Sequence, residues 1–282
     1  SLVGSEMCIR DRIKVAHVEA GLRTGNLASP FPEEANRQLT GILADLHFAP
    51  TETAKNNLIR ENKKKENIFV VGNTVIDALL STVKENYRFA DKEIEDIEEH
   101  KRVILVTTHR RENLGTPMHH VYKALRRLVE TVPHTEVVFP VHRNPLVREA
   151  VEEELEGVPG IHLVEPMEYE PFTNLMARSS IVLTDSGGIQ EEAPSLGKPV
   201  LVLRDTTERP EAIEAGTVKL VGTDENLIYE TAYRLLTDKK AYDAMSEAVN
   251  PYGDGKASER IVETLLYQSG LSDKKPSKFI AK

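Results

Sequence analysis

The stretch Leu183-Thr184-Asp185-Ser186-Gly187-Gly188-Ile189-Gln190-Glu191-Glu192 decides the fold. An apolar run at 181–183 predicts a strand that leads into a Ser-Gly-Gly turn, and a helix-forming segment follows at once. Glycines let the backbone approach a ligand closely, and a helix N-terminus aims free N–H groups at an anion. A carboxylate at the start of that helix suits sugar hydroxyls. The stretch therefore predicts a phosphate-binding turn in an α/β fold, and a nucleotide-sugar as its ligand.

The composition is that of an ordinary globular protein and disfavours several functions. The chain has 282 residues, 40% of them hydrophobic and 29% charged, which is enough for one large or two medium domains. A net charge of -9 argues against nucleic-acid binding. The sequence has no apolar run of the roughly 18 residues that a membrane span needs. A single cysteine excludes an intrachain disulfide framework and agrees with a cytoplasmic location.

Strand-like and helix-like segments alternate along the chain, which predicts an α/β fold with parallel sheets. The first half contains only about three predicted strands, at 13–18, 46–49 and 68–71, followed by a long charged helix at 74–100. The second half, from Arg102 onward, predicts a doubly wound unit of six strands. Because a Rossmann-like domain usually has about five or six strands, we expect the first domain to be truncated.

Two acidic segments of the first half offer an acid and a base. Glu19 lies just past a predicted strand, where α/β proteins bind ligands, and the alternative is a loop carboxylate paired with Arg23. Glu33 and Glu34 open a predicted helix, where the helix dipole favours carboxylates for structural reasons alone. Two carboxylates in one cleft can have their pKa values pushed apart, giving one acid and one base.

Basic residues follow several strands of the second half. In Thr107–Asn113, His109 can move a proton near neutral pH and the arginines can bind a diphosphate; the alternative is a solvated basic turn. His142 opens a similar segment after the next strand. Arg209, near a helix start, is a candidate pyrophosphate ligand, and a capping and salt-bridge turn is its alternative. Asp185 lacks a partner carboxylate, so we predict no metal site.

Taken together, these segments resemble the bacterial non-hydrolysing UDP-N-acetylglucosamine 2-epimerases. The likeness extends from about residue 14 to residue 267 and is carried by several long runs in the same order. The matching runs are His17–Gly25, Pro32–Arg37, Gly72–Asp77, His109–Glu112, Thr184–Pro199, Arg204–Glu211 and Asn250–Gly255.

The resemblance implies a fold and a reaction. The fold is α/β with two Rossmann-like domains, similar to glycosyltransferase B, and the active site lies in the cleft between the domains. The substrate is UDP-N-acetylglucosamine, no cofactor is needed, and the protein is a homodimer. UDP is eliminated to leave 2-acetamidoglucal and is then added back, with a proton delivered to the other face of C2.

The resemblance also implies roles for particular residues. It assigns catalysis to Glu19, Glu33 and His109. A second substrate molecule acts as an activator through Arg110 and His142. The residues implied to bind UDP are Phe172 and Met167 at the uracil, Ser186, Gly187 and Gly188 at the diphosphate, Glu192 at the ribose, and Arg209. Met167 stands where the family often has Gln, which leaves backbone recognition of uracil.

One departure from the family concerns the N-terminus. Family members begin with a strand and a Gly-Thr-Arg-Pro-Glu loop, and a catalytic Asp follows in a Gly-Asp-Thr run; both are absent from this sequence. We therefore expect a truncated first domain and impaired activity. The alternatives are a hydrolysing epimerase and an inert UDP-sugar-binding remnant. The predicted parts are a non-native leader at 1–12, a partial N-terminal domain at 13–90, a UDP-binding domain at 91–255, a closing helix at 256–271 and a flexible tail at 272–282.

Overall fold

The computed structural model describes residues 10–11, 13–28, 31–110, 113–207 and 209–281. The chain forms two compact units. The first consists of the chain up to Leu80 together with the chain from Pro251, and the second is Ser81–Asn250. The helix predicted to close the chain thus belongs to the first unit. Most of the predicted leader lies outside the described residues.

The first unit is built on a parallel sheet of three strands, β1 (Ala16–Val18), β2 (Leu46–Ala49) and β3 (Ile68–Val70), in the order β1-β2-β3. The strands alternate with helices, as the pattern of the sequence predicted. The helices of this unit among the described residues are Glu33–Leu43, Glu52–Arg60, Thr74–Thr82, which ends just past Leu80, and Ala257–Gln268, with a short 3-10 turn at Lys65–Asn67.

A tight turn after β1 packs against the second of these helices. Thr51 caps that helix by accepting a hydrogen bond from the Ala54 N–H at 3.1 Å, as predicted. Ala54 and Leu58 of the helix are buried against the turn. Gly21 in the turn has φ +89°, and a Cβ there would lie 2.1 Å from the Ala54 carbonyl oxygen. The turn can therefore approach the helix only because position 21 is glycine.

The long helix predicted at 74–100 is wrong. The helix ends at Thr82, and a separate short helix covers Lys92–Glu95. Side-chain contacts replace the helical bonds: the Asn174 side chain, distant in sequence, accepts from the Lys84 N–H at 2.8 Å, and the nearby Glu95 carboxylate accepts from the Phe89 N–H at 2.9 Å. Charged residues with good helix propensity thus form a loop because tertiary contacts outweigh propensity.

The second unit contains a parallel sheet of six strands. They are β4 (Arg102–Thr107), β5 (Thr135–Pro140), β6 (Ile161–Val164), β7 (Ile181–Thr184), β8 (Val200–Val202) and β9 (Val218–Leu220). The helices are Lys92–Glu95, Thr116–Thr131, Pro145–Leu155, Tyr169–Arg178, Ile189–Ser195, Pro210–Ala215, Glu225–Thr237 and Lys239–Ser246. Buried aliphatic and aromatic side chains of the sheet and helices form its core.

The strand order β6-β5-β4-β7-β8-β9 identifies the position of a ligand site. The chain winds outward from β4 to β6, returns to pair β7 with the other edge of β4, and then winds the opposite way. Ligands of open α/β sheets bind at such a switch point, beyond the carboxyl ends of the strands. The segments after β4 and β7 both carry residues predicted to bind ligand, so the topology brings them together.

The polar segment after Ser272, predicted to be a flexible tail, contacts β3 and a helix of its own unit. The Phe279 side chain is buried, and its N–H donates to the Val70 carbonyl of β3 at 2.9 Å. Lys278 forms an ion pair with Glu52. None of the helices in the described part of the chain has the length and apolar character required to span a membrane.

Two histidines face each other on neighbouring strands of the first sheet. His17 on β1 lies opposite His47 on β2, and among the described residues the Nδ1 atom of each is buried with no hydrogen-bond partner. Burial, followed by the nearby His47, Arg23 and Arg37, lowers the pKa of His17 to about 4. Burial also lowers the pKa of His47. Both rings are therefore neutral at neutral pH.

We expect the first unit to lose stability between about pH 6.5 and about pH 4. The unfolded chain protonates His17 near its ordinary pKa of 6.5, whereas the folded chain does so only near 4, so acid favours unfolding across this window. The loss between about pH 7 and about pH 5 is expected to be about 2 kcal/mol. Hydrogen exchange of the β1 and β2 amides, corrected for intrinsic rates, measures it. His17→Gln should reduce the loss; an undiminished loss in that variant would contradict the assignment.

Candidate functional site

The centre of the candidate site is Asp185, which follows β7 directly and is fully buried. Its Oδ2 accepts hydrogen bonds from the backbone N–H groups of His109 and Arg110, each at 2.9 Å, and from the Asn113 side chain at 3.3 Å. Its Oδ1 lies 2.8 Å from His109 Nδ1. Burial alone would raise the pKa of Asp185, but His109 and these backbone donors outweigh it and hold the pKa below its usual value.

Three residues predicted for catalysis or for the activator site lie together here. The His109 ring stacks on the His142 ring, with centroids 5.9 Å apart and planes 29° from parallel. Arg110 Nε donates to the Asp185 carbonyl at 3.3 Å. The side chain of His109 is 42% exposed, so one face of its ring is accessible to a ligand. Arg111 and Glu112, named in the sequence, lie outside the described residues.

The Ser186-Gly187-Gly188 turn is braced by side chains from several strands. The Ser186 N–H donates to Thr184 Oγ1 at 2.9 Å, and that hydroxyl lies 2.6 Å from the Thr107 hydroxyl on β4. Gly188 has φ -63°, and a Cβ would meet only Glu192 Oε2 at 3.8 Å. The glycine at 188 therefore leaves room beside the backbone for a ligand to approach closely.

A second brace links the turn to the segment after β8. Gln190 donates through Nε2 to the Ser186 carbonyl at 3.1 Å and accepts from the Thr207 hydroxyl at 2.6 Å. The turn is thereby held between β4, β7 and the loop that carries Arg209. A rigid turn loses little conformational entropy when a ligand binds, which favours its use as an anion cradle.

Arg209 is paired within the protein. Its Nε lies 2.6 Å from Glu191 Oε1, and both side chains are nearly buried. The Glu191 carbonyl accepts from the Asn250 side chain at 2.9 Å. The salt-bridge alternative considered from the sequence is therefore present, with Glu191 as the partner.

Glu192 is buried in the first turn of the Ile189–Ser195 helix, with 8% of its surface exposed. Its Oε1 accepts a hydrogen bond from the Tyr169 hydroxyl at 2.9 Å. Burial raises the pKa of Glu192, the bond from Tyr169 partly offsets this, and Glu191 adds to the rise. Tyr169 was not singled out from the sequence, because a tyrosine that begins a helix carries no distinctive motif.

We expect Glu192→Ala to weaken the binding of UDP, the ligand that the resemblance implies, by about tenfold or more, because hydrogen bonds to a charged group contribute roughly 1.5–3 kcal/mol. Isothermal titration calorimetry with UDP measures the change. Tyr169→Phe should have a smaller effect, since the carboxylate remains. Glu230→Ala, on an exposed position of the Glu225–Thr237 helix, is the matched control. An unchanged UDP affinity in Glu192→Ala would rule out a ribose contact.

The two residues predicted to lie at the uracil are on neighbouring segments. Met167 is in the loop after β6, and Phe172 is in the Tyr169–Arg178 helix that follows. Both side chains are half-buried. They belong to the same unit as the glycine turn, and Tyr169 of the same helix touches Glu192.

The acidic residues predicted for catalysis lie in the first unit. Glu19 follows β1 with φ +59°, and Arg37 contacts it twice, at the carbonyl oxygen (3.3 Å) and at Oε2 (3.8 Å). The alternative pairing of Glu19 with Arg23 is wrong, because Arg23 Nε binds Glu61 at 2.7 Å. The Glu19 side chain is 40% exposed.

The two glutamates that open the Glu33–Leu43 helix have different roles. Glu34 is 1% exposed and accepts hydrogen bonds from the N–H groups of Thr24 and Gly25 at 3.0 and 3.3 Å. It therefore fixes the loop after β1, the structural role that the helix dipole also favours. Glu33 is exposed. Of the two, only Glu33 presents its carboxylate to solvent and thus to a ligand.

A cluster of potential metal ligands lies on other elements of the second unit. His119, Glu153 and Glu154 approach one another on the Thr116–Thr131 and Pro145–Leu155 helices. Lys123 Nζ is 3.7 Å from Glu154 Oε1 and already supplies positive charge. We assign no metal to this cluster.

A doubly wound sheet with a glycine turn, a buried acid and an arginine at its switch point defines a nucleotide-binding α/β protein. The chain belongs to the UDP-N-acetylglucosamine 2-epimerase family, whose model matches residues 1–266. The predicted fold class, glycosyltransferase-B-like α/β with parallel sheets, is confirmed by the family's solved structures.

Three relatives illustrate the similarity. UDP-N-acetylglucosamine 2-epimerase of Bacillus subtilis is 57% identical over 282 residues, which are 100% of this chain and 73% of the relative. The S. aureus MnaA–UDP structure has a TM-score of 0.92 and 50% identity, over 98% of this chain and 75% of that one. UDP-GlcNAc 2-epimerase from Neisseria meningitidis bound to UDP-GlcNAc has a TM-score of 0.84 and 50% identity, over 93% of this chain and 72% of that one.

Proposed function

We propose that the chain interconverts UDP-N-acetylglucosamine and UDP-N-acetylmannosamine by inverting C2, without releasing the free sugar. The observation that carries the proposal is the junction of β4 and β7, where His109 lies against Asp185 beside the Ser186-Gly187-Gly188 turn. A group that can move a proton thus lies next to a cradle for a diphosphate. Relatives that are 50% identical were solved with UDP and with UDP-GlcNAc, which supports the choice of ligand.

The proposed reaction has two balanced steps. A base takes the C2 proton while the C1–O bond breaks, and UDP leaves with the bonding electrons, so that a C1–C2 double bond forms. UDP oxygen then attacks C1 again while a proton is delivered to the opposite face of C2. We assign the proton transfers to Glu19, Glu33 and His109. The turn and Arg209 stabilise the charge on the departing diphosphate.

Within this site we assign the ribose hydroxyls to Glu192, whose carboxylate lies at the start of the helix that follows the turn. We assign the uracil to Phe172 and to the backbone at Met167. The scheme uses no cofactor, because elimination and re-addition of UDP cause no net oxidation or reduction. The proton that leaves C2 is replaced by one from solvent or from the enzyme.

Proton NMR of C2 in D2O, with UDP-N-acetylglucosamine as substrate, tests the proposal. Deuterium at C2 together with UDP-N-acetylmannosamine is the expected result. Free N-acetylmannosamine would instead indicate a hydrolysing epimerase. UDP binding without turnover would indicate a nucleotide-sugar-binding protein and would contradict the proposed activity of this chain.

We also propose that a second substrate molecule activates the enzyme through Arg110 and His142, and that the protein is a homodimer in the cytoplasm. The contacts of both residues with the His109–Asp185 cluster support a coupling to catalysis. Sigmoidal dependence of rate on substrate, lost in His142→Ala, is the expected outcome. A hyperbolic dependence in the wild-type chain would contradict the activator role, and sedimentation equilibrium tests the dimer.

A further inference from the structure

Asp185 combines two features that its backbone contacts alone do not explain. It is a fully buried carboxylate, and burying a charge is costly unless the charge is well paired. Three N–H donors converge on Oδ2. The other oxygen, Oδ1, is buried and lies 2.8 Å from His109 Nδ1, and among the described residues no donor is aligned on it for a hydrogen bond. A residue that served only to tie the loop together would not need the second oxygen in this position.

We propose that Asp185 is a positioning residue for proton transfer, which holds His109 in one tautomer and one orientation. With Nδ1–H toward the carboxylate, the lone pair of Nε2 faces away from Asp185 and is free to accept a proton. When Nε2 is protonated, the same carboxylate stabilises the imidazolium. This inference rests on the proposed function for the role of His109 in catalysis, and on the geometry alone for the tautomer.

The position of Asp185 in the chain gives it a second consequence. Its side chain orients His109, its carbonyl accepts from Arg110 Nε at 3.3 Å, and its own peptide leads into Ser186 of the glycine turn. The proton-transfer group and the diphosphate cradle are thus attached to one residue. If a bound diphosphate displaced the turn, Asp185 would therefore move with it and change the position of His109 directly.

Few charged groups among the described residues can compete with Asp185 for control of His109. The His142 ring stacks on it from the segment after β5, and Arg110 is its neighbour in the chain. Neither supplies a negative charge that could stabilise the imidazolium. Asp185 is the acidic group that contacts His109 in the described part of the chain.

The experiment is NMR of the histidine side chains in the full chain with and without Asp185→Asn. In the wild type, the ¹⁵N shifts of neutral His109 should report the Nδ1–H tautomer. In Asp185→Asn we expect the two neutral tautomers of His109 to mix, because the carboxylate next to Nδ1 is gone. His119, whose Nδ1 lies 3.0 Å from Glu154, should give the same ¹⁵N shifts in both proteins and serves as the internal control.

Kinetics distinguish positioning from a merely structural role. We expect Asp185→Asn to lower kcat by about tenfold or more, with KM and UDP affinity little changed. Asp185→Glu, which keeps the charge but displaces it, should restore part of the Nδ1–H tautomer of His109 and little of kcat.

Two outcomes would overturn the inference. One is an Nε2–H tautomer of His109 in the wild type. This measurement needs no variant, so it tests the inference even if Asp185→Asn does not fold. The other is an unchanged Nδ1–H tautomer of His109 in folded Asp185→Asn. If the wild type proves inactive while the NMR results are as expected, the proposed function fails and the positioning role of Asp185 stands.

Discussion

His109→Gln is expected to lower kcat by about 10²–10⁴-fold, the range typical of losing a positioned acid or base. Glutamine fills a similar volume and can still donate to Asp185, which lies 2.8 Å from His109 Nδ1, but it cannot take up a proton at neutral pH. The affinity for UDP should change only a few-fold, since the glycine turn and Glu192 are untouched. Initial rates of deuterium incorporation at C2, with calorimetry for UDP, measure both quantities.

The matched control for this variant is His119→Gln. His119 also directs Nδ1 to a carboxylate, that of Glu154 at 3.0 Å, and lies in the same unit on the Thr116–Thr131 helix. It should leave the rate of exchange at C2 unchanged. If His109→Gln retained a rate within a few-fold of the wild type, His109 would not be a catalytic residue, and the assignment would pass to Glu19 and Glu33 alone.

Gly21→Ala is expected to destabilise the first unit by more than about 4 kcal/mol, which is the range of severe steric substitutions. The added Cβ would lie 2.1 Å from the Ala54 carbonyl oxygen and 2.7 Å from its carbon, and the backbone at φ +89° disfavours any side chain. Neither backbone can move without separating the turn after β1 from its helix. Hydrogen exchange of the β1, β2 and β3 amides measures the loss.

Gly25→Ala separates the two contributions. Position 25 also has a positive φ, +76°, but a Cβ there would meet nothing within 4 Å. Gly25→Ala should therefore destabilise the first unit only by the backbone strain, roughly 1–2 kcal/mol. Equal effects of the two substitutions would show that the contact with Ala54 does not matter. Because the turn also carries Glu19, Gly21→Ala should reduce turnover in proportion to the fraction of unfolded first unit.

Much of the fold was predictable from local pattern. The strands at Leu46–Ala49, Arg102–Thr107 and Ile161–Val164 have the predicted bounds, because each is an apolar run flanked by polar residues. The Thr51 cap was predictable for the same kind of reason, since a threonine directly ahead of a helix has few other uses. The loop at 83–101 was not predictable from local pattern. The Asn174 side chain binds the backbone N–H of Lys84, and the Phe89 side chain is buried, and neither feature can be recognised in the local sequence.

The candidate site shows the same limit. The glycine turn, His109 and Arg209 were found because each follows a strand and carries a recognisable chemistry. Asp185 was noted only as an unsuitable metal ligand, although the structure places it at the centre of the site. Its importance depends on the pairing of β4 with β7, strands that are far apart in the sequence and adjacent in the sheet. The contacts of Glu191 with Arg209 and of Tyr169 with Glu192 were also missed, because the partners lie on different elements of the chain.

The reversal of strand order between β4 and β7 also bears on how the second unit can be assembled. Residues of the site follow both strands, so neither half of the sheet contains the site by itself. A folding intermediate with only β4, β5 and β6 in place would have His109 without its carboxylate and no phosphate turn. Nucleotide binding therefore reports that the two halves have joined, and a bound nucleotide would favour the completed sheet over any half-built one.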